Sequence, residues 1–522
     1  MIRLTGRDLS LEDVLRVAAG PGVTVSLALE AEEAMGRARA FVEAAVAGGT
    51  AVYGVTTGFG RLAEVVISPA EQGRLQLNLV RSHAAGVGSP LSVPAVRAMM
   101  LLRANALARG HSGCRIEVVR RLVDFLNLGV HPWVPSVGSV GASGDLAPLA
   151  HVALCVLGEG YVVDEGGRRP TRDILAEHGL EPLELEAKEG LSLINGTQAT
   201  TALGILALLS AESAVEAAEC AGALSLEALK GTPEAFREEV SRVRPHLGQA
   251  RSARRLRALL ADSEIRESHR HGDPRVQDAY ALRCMPQVHG ATRDVLTYVR
   301  GVLETEANSV TDNPLIFPEE GVVVSAGNFH AQVVAQGLDF LCIAAADLAS
   351  ISERRTERML NPDLSGLPAF LADSPGLESG LMIAQVTAVD LLAELRVLAH
   401  PASVDSVPTS ANQEDHVSMG LAAARKVQRA VECLRYVLAV ELLCGARALE
   451  YRRPLRAGTG VERAYARIRE AVPAVAGDHP LSDEIEALQA LVARGAFTPG
   501  ELDAEAGEPR SAPSGAPEPE GT

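Results

Sequence analysis

The stretch ALGILALLSAESAVEAAECAGALSLEAL, from Ala202 to Leu229, constrains this chain more than any other. Its apolar residues run nearly all round a helical wheel, so a helix formed here must be buried on several sides. Two further segments keep helical period. Leu338, Leu341, Ala345, Leu348 and Ser352 recur at three- and four-residue steps, as do Val427, Val431, Leu434, Leu438 and Leu442. Hydrophobic residues make up 47% of the chain and aromatic ones only 3%, so Ala, Leu and Val must fill the core, which favours close-packed helices. The expected fold is mainly α, a long-helix bundle core with a smaller glycine-rich N-terminal domain. Short hairpins are expected at GYVVDEGG and LIFPEEGVVVSAG. The expected domains are 1–200, carrying the glycine-rich loops, 201–500, the helix bundle, and 501–522, an acidic tail whose Pro, Gly, Ser and Glu content predicts disorder.

Charge and cysteine usage exclude several partners. At 522 residues the chain can bury a large core, and its net charge of -17 argues against nucleic acid or an anionic membrane. The tail from Glu501 carries six acids and one base, which leaves about -12 for the remainder. Seven cysteines without a CxxC pair read as buried thiols in a reducing compartment. The opening MIRLTGRDLSLEDVL has acids where a signal peptide is apolar, and no uncharged apolar run reaches membrane length. The expectation is a cytoplasmic protein.

The segment GSVGASGDLAPLAH, 138–151, surrounds one serine with glycines. A nucleophile elbow needs glycine two residues on either side of the serine, and here Gly141 is in place but Asp145 occupies the second position. Pro132 and Pro135 upstream argue for irregular chain rather than a strand. A phosphate loop is excluded because no Gly-Lys-Ser or Gly-Lys-Thr follows. The plain structural reading is a loop leading into a helix, with Asp145 as N-cap and Pro148 in the first turn.

Polar residues cluster at other breaks in the pattern: YGVTTGFG (53–60), RSHAAGVG (81–88), INGTQAT (194–200), VQDAYALRCMPQ (276–287), TDNPL (311–315), SAGNFH (325–330) and TSANQEDH (409–416). Singly, each is explained by a turn or a satisfied side chain. His269 and His271 lack further ligands at metal-binding spacing, so no metal is expected. Taken together, the ASG tripeptide with YGVTTGFG, INGTQA, YALRCMPQVHG and TDNPL resembles the aromatic amino acid ammonia-lyases, in order over roughly residues 1–500.

That resemblance implies a reaction and a set of roles. Ala142, Ser143 and Gly144 correspond to the tripeptide that closes into a 4-methylidene-imidazole-5-one (MIO) ring: the Gly144 nitrogen attacks the Ala142 carbonyl carbon and two waters leave. Glycine allows the backbone to fold back so tightly. If DLAPLAH opens a helix, its N-terminal dipole faces the ring. Tyr53 is the implied base for the substrate β-proton, and its phenol, ordinarily near pKa 10, needs neighbouring charge or donors to serve near neutral pH. Arg283 is implied to hold the substrate carboxylate. Tyr280 and Gln277 contact substrate, Asn195 donates to the ring oxygen, and Phe329 packs nearby.

Members acting on phenylalanine or tyrosine have Phe-Leu or His-Leu in place of Ser82 and His83, and a neutral residue in place of Glu414. His83 and Glu414 therefore point to L-histidine, deaminated to trans-urocanate and ammonia with no nucleotide, flavin or pyridoxal phosphate. The implied assembly is a homotetramer with shared active sites. Alternatives are a phenylalanine or tyrosine ammonia-lyase, an aminomutase using the same ring and, more remotely, a non-enzymatic helical scaffold.

Overall fold

Long helices dominate the computed structural model, which describes residues 1–48, 57 and 67–504. They include Gln198–Ala228, Met285–Ala307, Gln332–Leu360, Met382–Leu398 and Gly420–Glu450. The expected stripes are buried: Leu338, Leu341, Ala345 and Leu348 on one helix, Val427, Val431, Leu434, Leu438 and Leu442 on another, none more than 2% exposed. The Gln198–Ala228 helix is buried on almost every face, as its composition requires. Ser352 has a different reason for its place in the stripe. Its hydroxyl donates to Glu441 Oε2 at 2.6 Å, and Ser225 donates to Oε1 at 2.6 Å. That carboxylate is fully buried against the Arg355 guanidinium, 2.5 Å away, so the hydroxyls help satisfy a charge that would otherwise be costly to bury.

The chain falls into two compact units. One comprises Met1–Ala211, Asp294–Ala346 and Glu394–Glu432, the other Glu212–Arg293, Asp347–Ala393 and Cys433–Thr522. Each is assembled from separated stretches of sequence, unlike the contiguous division at residue 200 read from the motifs. Two helices, Gln198–Ala228 and Gln332–Leu360, are long and apolar enough to cross a membrane, yet most of each is buried inside the protein. None of the seven cysteines is in a disulfide, and burial pushes the Cys114, Cys155 and Cys220 thiols up to about 12.

Strands are short and paired two by two among the described residues. Both expected hairpins form, Tyr161–Asp164 with Gly167–Pro170 and Leu315–Phe317 with Val322–Val324. The irregular chain expected around the prolines is partly wrong. Pro135–Val137 is a strand paired antiparallel with Val87–Pro90. Pro135 opens it, at a position where a strand tolerates the missing N–H. This pairing brings the chain after His83 beside the start of the tripeptide loop, so closely that a side chain on Gly138 would meet the Gly86 Cα at 3.0 Å.

Candidate active site

The tripeptide lies where two helices begin. Leu146–Val156 starts two residues after Gly144, and Gln198–Ala228 starts two residues after Gly196. Gly144 and Gly196 form a parallel bridge, and the Asp145 N–H donates to the Gly196 carbonyl at 2.6 Å. Gly144 has φ +75°, and a Cβ there would overlap the Gly196 backbone. Gly141, at φ +68°, leaves room for the Ser418 hydroxyl, which donates to the Gly141 carbonyl at 3.2 Å. Both glycines are thus required by backbone conformation and by close approach.

Asp145 occupies the N-cap position of Leu146–Val156 but makes no side-chain bond to that helix. This corrects the expected cap. Its Oδ2 accepts from the Thr200 N–H at 2.7 Å, and its Oδ1 from the Thr200 hydroxyl at 3.0 Å and from Ser139 at 2.9 Å. The carboxylate therefore caps the first turn of Gln198–Ala228 and ties it to the loop. Complete burial raises its pKa, and the bonds from Thr200 and Ser139 oppose that rise. Below it, Glu306 accepts from the Thr197 hydroxyl at 2.6 Å and is also raised by burial.

Ser143 donates to Glu414 Oε1 at 3.0 Å, joining residues 271 positions apart. The other oxygen, Oε2, accepts from the Thr409 hydroxyl at 2.7 Å. Main-chain bonds between Thr409 and Glu414, at 2.8 and 3.3 Å, close the intervening loop. Ser410, Ala411 and Asn412 inside it have φ of +51°, +52° and +65°, a left-handed run that side-chain-bearing residues avoid unless surrounding contacts impose it. The loop thus carries strain in order to present Glu414.

His83 ends the Gln72–His83 helix, with Nδ1 2.8 Å from the Leu79 carbonyl oxygen. An Nδ1–H donates to that carbonyl, so in the neutral ring the lone pair lies on Nε2. Phe329 is half-buried beside His330, whose ring stacks on His416 at 5.9 Å and whose Nε2 lies 3.2 Å from the His416 carbonyl oxygen. SAGNFH and TSANQEDH are thereby joined. Asn195 is buried, its amide nitrogen 2.9 Å from the Asn313 carbonyl oxygen and 3.3 Å from Asp312 Oδ1. Both N–H bonds are engaged there, one with each acceptor.

Gln277, Tyr280 and Arg283 belong to the other compact unit. Gln277 is exposed, as is 70% of Tyr280, and the Arg283 guanidinium lies 4.4 Å from the Tyr280 ring centroid. Arg283 Nε donates to the Asp278 carbonyl at 3.0 Å, while its terminal nitrogens make no hydrogen bond among the described residues. Tyr53 lies outside the described residues. His269, weighed as a metal ligand, instead has Asp273 at 3.2 Å from its Nδ1.

Sequence reading missed Asp312, Lys188, Thr200, Thr409 and Ser418 as supporting residues. Four of them sit in or beside motifs already singled out. The signal for Lys188 was a single cation just before the apolar run GLSLI, a place where a charge is retained only with a buried partner.

The profile of aromatic amino acid lyases matches residues 9–470. The chain belongs to the aromatic amino acid lyase family. This lyase is 48% identical over 509 residues to the histidine ammonia-lyase of Natranaerobius thermophilus, covering 97% of this chain and 100% of that one. It is 53% identical over 500 residues to the histidine ammonia-lyase of Anaeromyxobacter sp. strain K, covering 94% and 98%. The crystal structure of histidine ammonia-lyase from Trypanosoma cruzi superposes with TM-score 0.89 at 42% identity, covering 97% of this chain and 95% of that one. Tyrosine aminomutase from Streptomyces globisporus gives TM-score 0.90 at 38% identity, covering 98% and 99%. The fold is shared across these activities, so the substrate must be argued from side chains.

Proposed function

We propose that this lyase deaminates L-histidine to trans-urocanate and ammonia, using an MIO group formed from Ala142, Ser143 and Gly144. The observation that carries this reading is the Ser143–Glu414 hydrogen bond, which puts a carboxylate at the reacting tripeptide. An imidazole has two ring nitrogens to satisfy, and leaving one unpaired in a buried site costs about 1–3 kcal/mol. Glu414 accepts from a ring N–H, and the His83 Nε2 lone pair suits the second N–H that the protonated imidazolium form of the substrate ring carries. A phenyl ring leaves both groups without partners and a phenol O–H satisfies only one of them, which favours histidine over the phenylalanine, tyrosine and aminomutase readings.

The tripeptide geometry fits the group. Gly144 and Gly141 hold the left-handed backbone that ring closure needs, and two helix N-termini flank the loop with a dipole favourable to negative charge. When formed, the group supplies an electrophilic methylidene carbon that makes the substrate nitrogen a better leaving group. The rest of the work falls to side chains. Arg283, with its terminal nitrogens unbonded among the described residues, grips the substrate carboxylate. Tyr53 takes the β-proton, Glu414 holds or moves the imidazole proton, and Gln277, Tyr280 and Phe329 line the substrate.

The reading also takes the protein as a cytoplasmic homotetramer with shared sites, needing no nucleotide, flavin or pyridoxal phosphate. Exposed Tyr280 and Gln277, and the exposed Val333, Phe340 and Ile343 on one long helix, support surfaces that another subunit covers. Residues 1–200 then supply the tripeptide and base loop, and 201–500 the helices and carboxylate clamp.

Intact mass and product analysis test the reading together. The expected result is a chain lighter by two waters that forms urocanate from histidine, with Ser143→Ala slower by several orders of magnitude. A full-mass chain, or a β-amino acid product, rejects it.

A further inference from the structure

Asn195 is 2% exposed, and its amide is oriented by two groups that can only accept, the Asp312 carboxylate and the Asn313 carbonyl. The NH2 must face them, which settles which end of the amide is oxygen. Asn195 Oδ1 is then buried with no hydrogen-bond partner among the described residues. An unmatched buried acceptor costs about 1–3 kcal/mol, a reason to look for the donor it awaits. The parallel Gly144–Gly196 bridge places Asn195 next to Ser143 in register. Asp312 is itself held firmly. Lys188 Nζ lies 2.9 Å from Oδ2, the Asn313 N–H donates to Oδ1 at 2.7 Å, and Arg103 Nη2 is 4.0 Å from Oδ2. Lys188 and Asp312 are at most 1% exposed, so neither charge has water as an alternative partner.

We propose that Asn195 acts as a hydrogen-bond acceptor for the amine nitrogen of the amino-acid substrate, with Lys188 and Asp312 as positioning residues that lock its amide in that orientation. This rests on the reaction proposed above. The substrate carboxylate has no proton to give, and the imidazole faces Glu414 and His83. The amine is the N–H donor that must come to the tripeptide.

Exchanging the groups tests the acceptor role. Asn195→Asp with Asp312→Asn leaves only acceptors at 195 and puts an NH2 at 312, with the number of carboxylates unchanged. Its kcat should exceed that of Asn195→Ala by at least about tenfold, its intact mass still two waters light. An exchange no better than Asn195→Ala overturns the acceptor role. If the exchange variant is insoluble, Asn195→Ser, which keeps one acceptor oxygen and adds no carboxylate beside Asp312, is compared with Asn195→Ala in its place.

Positioning is tested by a cycle. Lys188→Met should lower kcat by about tenfold or more with KM changed less than about threefold, and by less than about threefold when Asn195 is already Ala. Equal losses in both backgrounds overturn it. Should Lys188→Met fail to fold, the neutral pair Lys188→Met with Asp312→Asn goes through the same cycle. Wild-type protein that carries its full mass or leaves histidine intact defeats the proposed reaction itself, a result distinct from all of these.

Discussion

Ser143, Glu414 and Thr409 form a short chain of hydroxyl, carboxylate and hydroxyl in which each carboxylate oxygen has one donor. Under the proposed ring formation, loss of the Ser143 hydroxyl would free Oε1 for the imidazole. Glu414→Gln keeps the shape but supplies an NH2 where an acceptor is needed, so both kcat and KM for histidine should worsen if the carboxylate also moves a proton. A change confined to KM limits Glu414 to binding. His83→Leu should raise the barrier for histidine by about 1–3 kcal/mol through one unpaired ring nitrogen. The ratio of kcat/KM for histidine to that for phenylalanine then falls, by about fivefold at the least. An unchanged ratio moves the specificity determinant elsewhere.

At the level of elements, one buried carboxylate joins the loop to a helix. Asp145 caps Gln198–Ala228 through the Thr200 N–H while its own backbone enters Leu146–Val156. Asp145→Ala should destabilise the fold by about 0.5–2 kcal/mol for the lost cap. It also unties the Ser139 anchor, so intact-mass analysis should find a larger fraction of chains that have not lost two waters. Denaturant midpoints and masses equal to wild type refute this coupling. The tripeptide motif announced that the backbone must turn sharply. That its closing acid reaches across to a helix 55 residues later was visible only once both segments were placed.

Across the whole molecule, buried polar groups set the dependence on pH. Fully buried Arg97 donates from Nε to the Val17 carbonyl at 2.7 Å and from Nη1 to His131 Nε2 at 3.1 Å. Burial, then the neighbouring guanidinium charge, pull the His131 pKa from 6.5 down to about 4. The unfolded chain takes up this proton near 6.5 and the folded chain only near 4. Stability from His131 is therefore present above 6.5 and lost as pH falls through that window. His131→Gln keeps an acceptor without the titration, so the drop in Tm between pH 7 and pH 5 should be smaller than in wild type. An equal drop removes His131 from the account. Assembly has its own test. Tyr53→Phe and Arg283→Ala subunits, each inactive, should recover some activity when mixed if the two residues serve one site from different chains. A fully active monomer in sedimentation excludes sharing.

What the residues determined alone was local and chemical. Helical period and scarcity of aromatics specified long, tightly packed helices, because a stripe of Leu, Val and Ala can be buried only against other helices. The flanking glycines and the motif set singled out the tripeptide, because its positions need particular backbone angles. Tertiary structure decided what no spacing encodes. It chose Thr409 to hold Glu414, sent Asp145 to a different helix from the one it precedes, and turned the Asn195 amide to face Asp312. Each outcome depends on which buried donors and acceptors meet, and the partners lie as far as 117 positions apart for Asn195 and Asp312. A buried polar group takes whatever partner the packing brings within reach, and packing is a property of the whole fold.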